Sequence, residues 1–336
     1  MVRVVDLRRL LGLSALATPP ARWATAVALG TVLLALFWAS GTMSGQAREP
    51  ETGSLGAALF FVAIIAYIVP VFAFISQRTA AAIEEPGPLL KGDASQQHHR
   101  PEQVYRKPLA WLLVVLGIGI VAGIAHNLIL YGSPERLWTV STTSLPALSI
   151  TLGTFAVWLI MTLVISALLD NAGLMARLAR QCRIDLLHTY ALRPFARVAV
   201  ISTLAVVGAA AAFPLMFVDD ALNPATYLPG LLAIVIPMLI MAGRPIWPLH
   251  RRIAEAKRRS LAELNERIRR IPQIDPDQPE TLASLAPLLA YRREILLVSE
   301  WPFDVGVVAR LGLYLIIPPL TWVGAALIEN VVESFL

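Results

Sequence analysis

The sequence predicts an all-α, polytopic membrane protein with seven transmembrane helices, its N-terminus inside, its C-terminus outside, and helical extensions on the inner side before the last span. Three observations predict this. Hydrophobic residues make up 57% of the 336 and charged ones only 15%, with a mean hydropathy of +0.65, too little charge to coat a soluble domain of this length. Apolar stretches of about bilayer length recur along the chain. Lysine and arginine concentrate in alternate connections between those stretches.

Residues 1–18 carry Arg3, Arg8 and Arg9 among leucines and valines, and the first span follows at about Trp23–Ser40. A secretory signal shares that basic start, but this apolar run is longer than a signal core and lacks a small-x-small exit, so an uncleaved span is expected. The second span, about Gly56–Ile75, contains Tyr67 and Pro70; proline inside a span bends it rather than ending it. Ser76–Lys107 reads as a long polar, flexible connector on the inner side. His98 and His99 have only Asp93 near them in sequence and make a poor metal ligand set.

The third span, about Leu109–Tyr131, sets Gly119 and Gly123 on one face, where another helix can come close. His126 and Asn127 near its far end are the most conspicuous polar pair within any span. The fourth span, about Leu145–Leu169, ends at Asp170. Beyond it Leu174, Leu178, Cys182, Leu186 and Tyr190 recur at steps of four, predicting an amphipathic helix over 172–194 that extends the span or lies on the membrane surface. Cys182, the sole cysteine, is expected to be a buried hydrophobe. Spans five and six are placed at about Ala196–Val218 and Tyr227–Trp247, with Pro237 and Pro245 as bends and Arg244 reaching for the headgroups.

A charged amphipathic helix, Leu249–Arg270, then follows, with Glu255–Arg259, Glu263–Arg267 and Glu266–Arg270 in the favourable i,i+4 order. Its narrow apolar stripe needs a partner. PQIDPDQP breaks it, and a second amphipathic helix, about Glu280–Glu300, offers Leu282, Leu285, Leu289 and Leu296 along one side, with Pro287 inside. The two are natural antiparallel partners. The last apolar stretch opens with Trp301-Pro302-Phe303-Asp304, where Asp304 can cap the new helix, and Pro318-Pro319 bend it near the middle. The twin prolines also permit a re-entrant hairpin.

Three parts result: a six-span bundle over 1–248 including loop 76–107 and stretch 172–194, a cytoplasmic helical hairpin over 249–300, and a final bent transmembrane helix with a short outer tail over 301–336. Arg3, Arg8, Arg9 and Arg22 precede the first span, and the second connection holds Arg78, Lys91, Arg100, Arg106 and Lys107. The fourth holds Arg177, Arg180, Arg183 and Arg193, and the sixth begins with Arg251 and Arg252. The intervening connections hold Arg48, Arg136 or two aspartates. That alternation fits the stated orientation.

The net charge of +5 is thus read as membrane orientation, and no nucleic-acid partner is expected. The apolar cores hold almost no converging titratable groups, and no metal-ligand spacing, nucleophile elbow or nucleotide loop is present, so neither an enzyme nor a cofactor is expected. No acidic residue sits near a span centre and no half-chain repeat is evident, against an ion-coupled transporter. A homo-oligomeric, cation-permeable ion channel asks less of each chain. The last helix would line the pore, with Pro318, Pro319 and Asp304 as hinge and Glu329, Asn330 and Glu333 drawing inorganic cations to the outer mouth. His126 and Asn127 are the further polar site. The alternatives are a membrane scaffold or sensory subunit binding a partner through helices 249–300, and a small-solute transporter. In outline the arrangement is similar to the insect chemoreceptor channels, which share the seven spans, the orientation, the cytoplasmic helices that tie subunits together and the divided last helix. The similarity is of architecture and carries no matching motif. The expected location is the lipid bilayer of a bacterial or archaeal plasma (inner) membrane.

Overall fold

Sequence and geometry meet most directly at the third apolar stretch, where Pro108 and Gly132 flank an α-helix over Leu109–Tyr131. Proline suits the position before a helix, and Gly132 adopts φ 78°, a left-handed cap that a side chain would strain. The computed structural model describes residues 3–43, 55–85, 101–217, 224–271 and 279–301. Its long helices are α1 (Pro19–Ala39), α2 (Leu55–Glu84), α3 (Leu109–Tyr131), α4 (Pro134–Thr143), α5 (Leu145–Gln181), α6 (Arg193–Ala210), α7 (Pro224–Gly243), α8 (Ile246–Arg269) and α9 (Pro279–Leu297). Two short strands, β1 (Val4–Asp6) and β2 (Arg106–Pro108), pair antiparallel with Val5 opposite Lys107.

Among the described residues six helices are long and apolar enough to cross a membrane, and the chain is a mostly helical, polytopic membrane protein. Asp304, Pro318, Pro319, Glu329, Asn330 and Glu333 lie outside the described residues. The buried centre is α2, packed between α1, α5 and α6, while α1 and α3 turn exposed Val27, Leu36, Leu113 and Val121 outward. That inversion is expected where the solvent is hydrocarbon.

The small residues decide which helices approach. On α3, a Cβ added to Gly119 would lie 3.1 Å from the Leu159 backbone of α5, and one on Gly123 would lie 2.7 Å from the Phe155 ring. The two glycines therefore mark the antiparallel α3–α5 seam. Gly153 of α5 receives the Phe61 ring of α2, 2.5 Å from a would-be Cβ. Gly208 of α6 receives the Tyr67 ring, whose hydroxyl donates to the Ala205 carbonyl at 3.0 Å.

Contacts place the basic connections at one end of the bundle. β1 pairs with β2, the Arg197 guanidinium on α6 meets Glu85 after α2 at 3.0 Å, and Arg252 of α8 donates to the Ala179 and Arg180 carbonyls that end α5. The segment between β1 and α1 folds beneath α2 at this end, with Leu7, Leu13 and Leu16 buried and Arg22 donating to the Leu16 and Ala17 carbonyls.

Several boundaries differ from those the sequence suggests. Ser76–Lys107 is not a connector throughout: α2 continues through TAAAIE to Glu84, and residues 101–108 form a 3-10 turn and β2. Alanine-rich sequence propagates a helix once started, and the strand is held by its partner rather than by any alternation of its own. The stretch 172–194 is not one helix. α5 carries the fourth span on to Gln181 and stops at Cys182, whose backbone is extended; Arg252 takes up its last carbonyls, which no local breaker announces. α6 starts at Arg193 with Pro194 in its first turn and ends at Ala210. Pro214, lacking an N–H, converts the rest into the 3-10 turn Phe213–Phe217. The loop before the fourth span contains α4, capped by the Ser133 hydroxyl, which accepts from the Arg136 N–H at 3.2 Å, and led by Pro134.

Candidate functional site

α7 and α8 are nearly continuous, interrupted by Arg244 and Pro245, so a membrane helix hands the chain directly to a charged one. The twenty-four residues of α8 span about 36 Å at 1.5 Å each. Leu249 and Ile253, fully buried, seat its first turns on the bundle, and Leu264 is buried farther out, where α9 lies alongside.

α9 runs antiparallel to α8. Lys257 donates to the Leu296 and Val298 carbonyls at 2.9 and 2.8 Å, while Arg292 reaches back to the Asn265 amide oxygen at 3.0 Å. Two cations of α8 thus complete the C-terminal ends of two other helices, Arg252 on α5 and Lys257 on α9. Each satisfies carbonyls that have no intrahelical partner, at the helix end where positive charge is favoured. At the base of the hairpin the His250 ring stacks on Trp301 with centroids 4.1 Å apart. Its Nδ1 lies 3.1 Å from the Glu300 carbonyl, so that nitrogen is the donor. Glu266 bridges Arg269 at 2.8 Å and Arg270 at 3.2 Å.

The face that α9 presents to α8 matches its leucine spacing only in part, and the Leu282 side chain lies outside the described residues. Leu285 and Ile295 are buried and Leu288 is partly so, whereas Leu289 and Leu296 stay 45% and 48% exposed. Arg292 and Ile295, one turn apart, set the rotation: Arg292 must face Asn265, and Leu289 and Leu296 turn away with it. Leu297, Arg293 and Glu294 are also exposed. An apolar stripe with adjacent opposite charges remains on the outside of the hairpin.

His126 and Asn127 sit in the C-terminal half of α3. The His126 ring lies 5.9 Å from Trp158 of α5, and its buried Nδ1 has no partner. The Asn127 amide donates to the Gly123 carbonyl of its own helix at 2.9 Å, and its buried carbonyl oxygen is unpaired. The two are neighbours but do not converge on a common point with other titratable groups. Two hydroxyl chains that sequence reading missed join helices near this end. Ser40, Thr42 and Ser149 connect the end of α1 to α5 at 2.7 and 2.6 Å. Ser141, Thr151 and Tyr131 connect α4, α5 and α3 at 3.0 and 3.3 Å, and Tyr131 donates onward to the Ala147 carbonyl. Single hydroxyls in apolar sequence give no signal until the helices are paired.

At the basic end, Lys107 of β2 is buried and its ammonium meets the Asp170 carboxylate at 3.2 Å. Burial lowers its pKa from the ordinary lysine value, and Asp170 partly restores it. Cys182 is fully buried, and burial pushes its thiol up to about 11, which leaves it protonated and unreactive. A cavity of about 30 Å³ between α2, α5, α6 and α7 is lined by Tyr67, Ile75, Leu168 and Ile234 among others; that is room for no more than about two waters. Among the described residues no three His, Cys, Asp or Glu side chains gather as a metal site would need. Comparison with known protein families, curated proteins and solved structures finds no match to this chain.

Proposed function

We propose that the chain is one subunit of a homo-oligomeric, cation-permeable channel. Copies associate through the cytoplasmic α8–α9 hairpin, and the segment after Trp301 lines the axis between them. The observation that carries this reading is the exposed Leu289–Leu296 stripe. It follows a helix already fastened to α8, and its neighbours Arg293 and Glu294 bear opposite charges side by side, so a second copy of the same face complements it in both apolar surface and charge. In sequence, the segment after the hairpin carries Pro318, Pro319 and the acidic Glu329 and Glu333, a composition suited to drawing cations to a pore mouth.

Mass measurement in lipid nanodiscs and ion flux in liposomes test the proposal together. The unaltered protein should form a closed oligomer and pass cations. Leu289→Glu with Leu296→Glu should disperse it and stop the flux, whereas Glu329→Gln with Glu333→Gln should leave the oligomer intact and reduce cation-over-anion selectivity. An oligomer and flux untouched by the leucine changes would overturn the assembly role. The same stripe also suits a membrane scaffold that binds a different partner. A protein that is monomeric and non-conducting alone, yet loses a defined partner when 249–270 is deleted, would establish that second reading instead.

A further inference from the structure

α1 and α2 pack antiparallel, with Gly30 against Ala66 and Arg22 of the first turn of α1 against the far part of α2. There two guanidiniums meet at one ring. Arg22 lies 5.2 Å from the centre of the Phe74 ring, and Arg78, one turn after Phe74, lies 5.4 Å from it. An aromatic ring attracts cations within about 6 Å, so the half-buried Phe74 gathers two positive charges around it. Arg22 is held in place by donating to the Leu16 and Ala17 carbonyls, both at 2.9 Å, and to the Gln77 amide oxygen. The Gln77 nitrogen in turn donates to the Leu16 carbonyl at 3.2 Å. Arg78 is exposed and can swing.

None of these acceptors carries a charge. Other cations at the basic end are neutralised, Arg106 by Glu102 at 3.1 Å, Lys107 by Asp170 at 3.2 Å and Arg197 by Glu85 at 3.0 Å. Among the described residues no carboxylate pairs with Arg22 or Arg78. Two like charges held near each other repel, and an anion shared between them turns the repulsion into attraction. Guanidinium forks match the oxygens of a phosphate best.

Depth decides which phosphate. Arg78 stands about 35 Å from the start of α2 at Leu55, just beyond the ~30 Å of hydrocarbon in a bilayer. Arg22 shares that level because it touches the same ring. The next residue, Trp23, is 74% exposed, and Val27, one turn further along α1, is 65% exposed. An indole suits the headgroup boundary, and the apolar strip that continues from it suits an acyl chain. A free phosphate would use the guanidiniums and leave the strip unused.

We propose that Arg22 and Arg78 bind the phosphate of one anionic phospholipid at the basic end of the bundle, its acyl chain lying along Trp23 and Val27. The site does not depend on how subunits assemble. Native mass spectrometry of the full-length protein, released from micelles doped with phosphatidylglycerol or phosphatidylcholine, tests this. The unaltered protein should retain one phosphatidylglycerol per chain in preference to phosphatidylcholine, and Arg78→Gln should weaken that preference roughly tenfold. Arg106→Gln, at the same end but already paired with Glu102, should leave it unchanged, which separates a site from a generally basic surface. Equal retention of the two lipids, an unchanged preference in Arg78→Gln, or an equal loss in both variants would overturn the proposal. So would thermal stabilisation by inorganic phosphate as large as that by phosphatidylglycerol, which would make the ligand a free anion.

Discussion

The α3–α5 seam and the α8–α9 hairpin join helices by opposite means. In the seam, glycines remove side chains so that Gly119 lies against the Leu159 backbone and Gly123 against the Phe155 ring. Lipid offers no hydrophobic reward for pairing, and close packing of surfaces is what remains. In the hairpin, Leu264, Leu285 and Ile295 are withdrawn from exposure and Lys257 completes a helix end. Water supplies the drive there, at about 25 cal/mol per Å² of apolar surface. The same chain therefore tolerates different mutations on either side of Arg244: added volume is the hazard in the bundle, lost volume in the hairpin.

Substitutions sharpen that contrast, beginning with the most severe. Gly153→Leu drives new atoms into the Phe61 and Phe37 rings and should destabilise the bundle by upwards of about 3 kcal/mol, seen as loss of monodisperse protein in detergent. Ile295→Ala empties a fully buried position. It should cost about 2–3 kcal/mol and speed hydrogen exchange over 249–297 while α3 and α5 exchange as before; an equal change in the bundle would show that the two regions are not separable. Lys257→Met removes two bonds to the end of α9 and should cost about 1 kcal/mol, as faster exchange confined to 294–298.

Lys107 gives a pH test at the basic end of the bundle, where it meets Asp170. Its pKa is lowered in the fold, by burial first, so the charged form weighs against folding. Stability should rise as pH climbs through the lowered pKa toward 10.5, the unfolded value, and level off above it. Lys107→Met should show no such rise in melting temperature. Last, Glu266→Gln disrupts exposed pairs with Arg269 and Arg270 and should change stability by only a few tenths of a kcal/mol, visible as slight fraying at the end of α8.

Most of the bundle was legible in the sequence because lipid demands long apolar runs, and Pro108, Gly132 and Pro194 marked ends locally. The end of α5 was not, since Arg252 sets it from a distant helix. The outward turn of Leu289 was not, since it depends on where Asn265 meets Arg292. Three-residue strands carry no periodicity to read. His126 and Asn127 were conspicuous by type, but their company was hidden.

The pairing of β1 with β2 carries a consequence for synthesis. Asp6 leaves the ribosome long before its partner Arg106, and at ~5–20 residues per second the wait is on the order of ten seconds. Between the two strands lie α1 and α2, both long and apolar enough to cross a membrane, and an even number of crossings is what would return the strands to one side. The strand pair is therefore a late clasp that a mis-threaded chain has no means of closing.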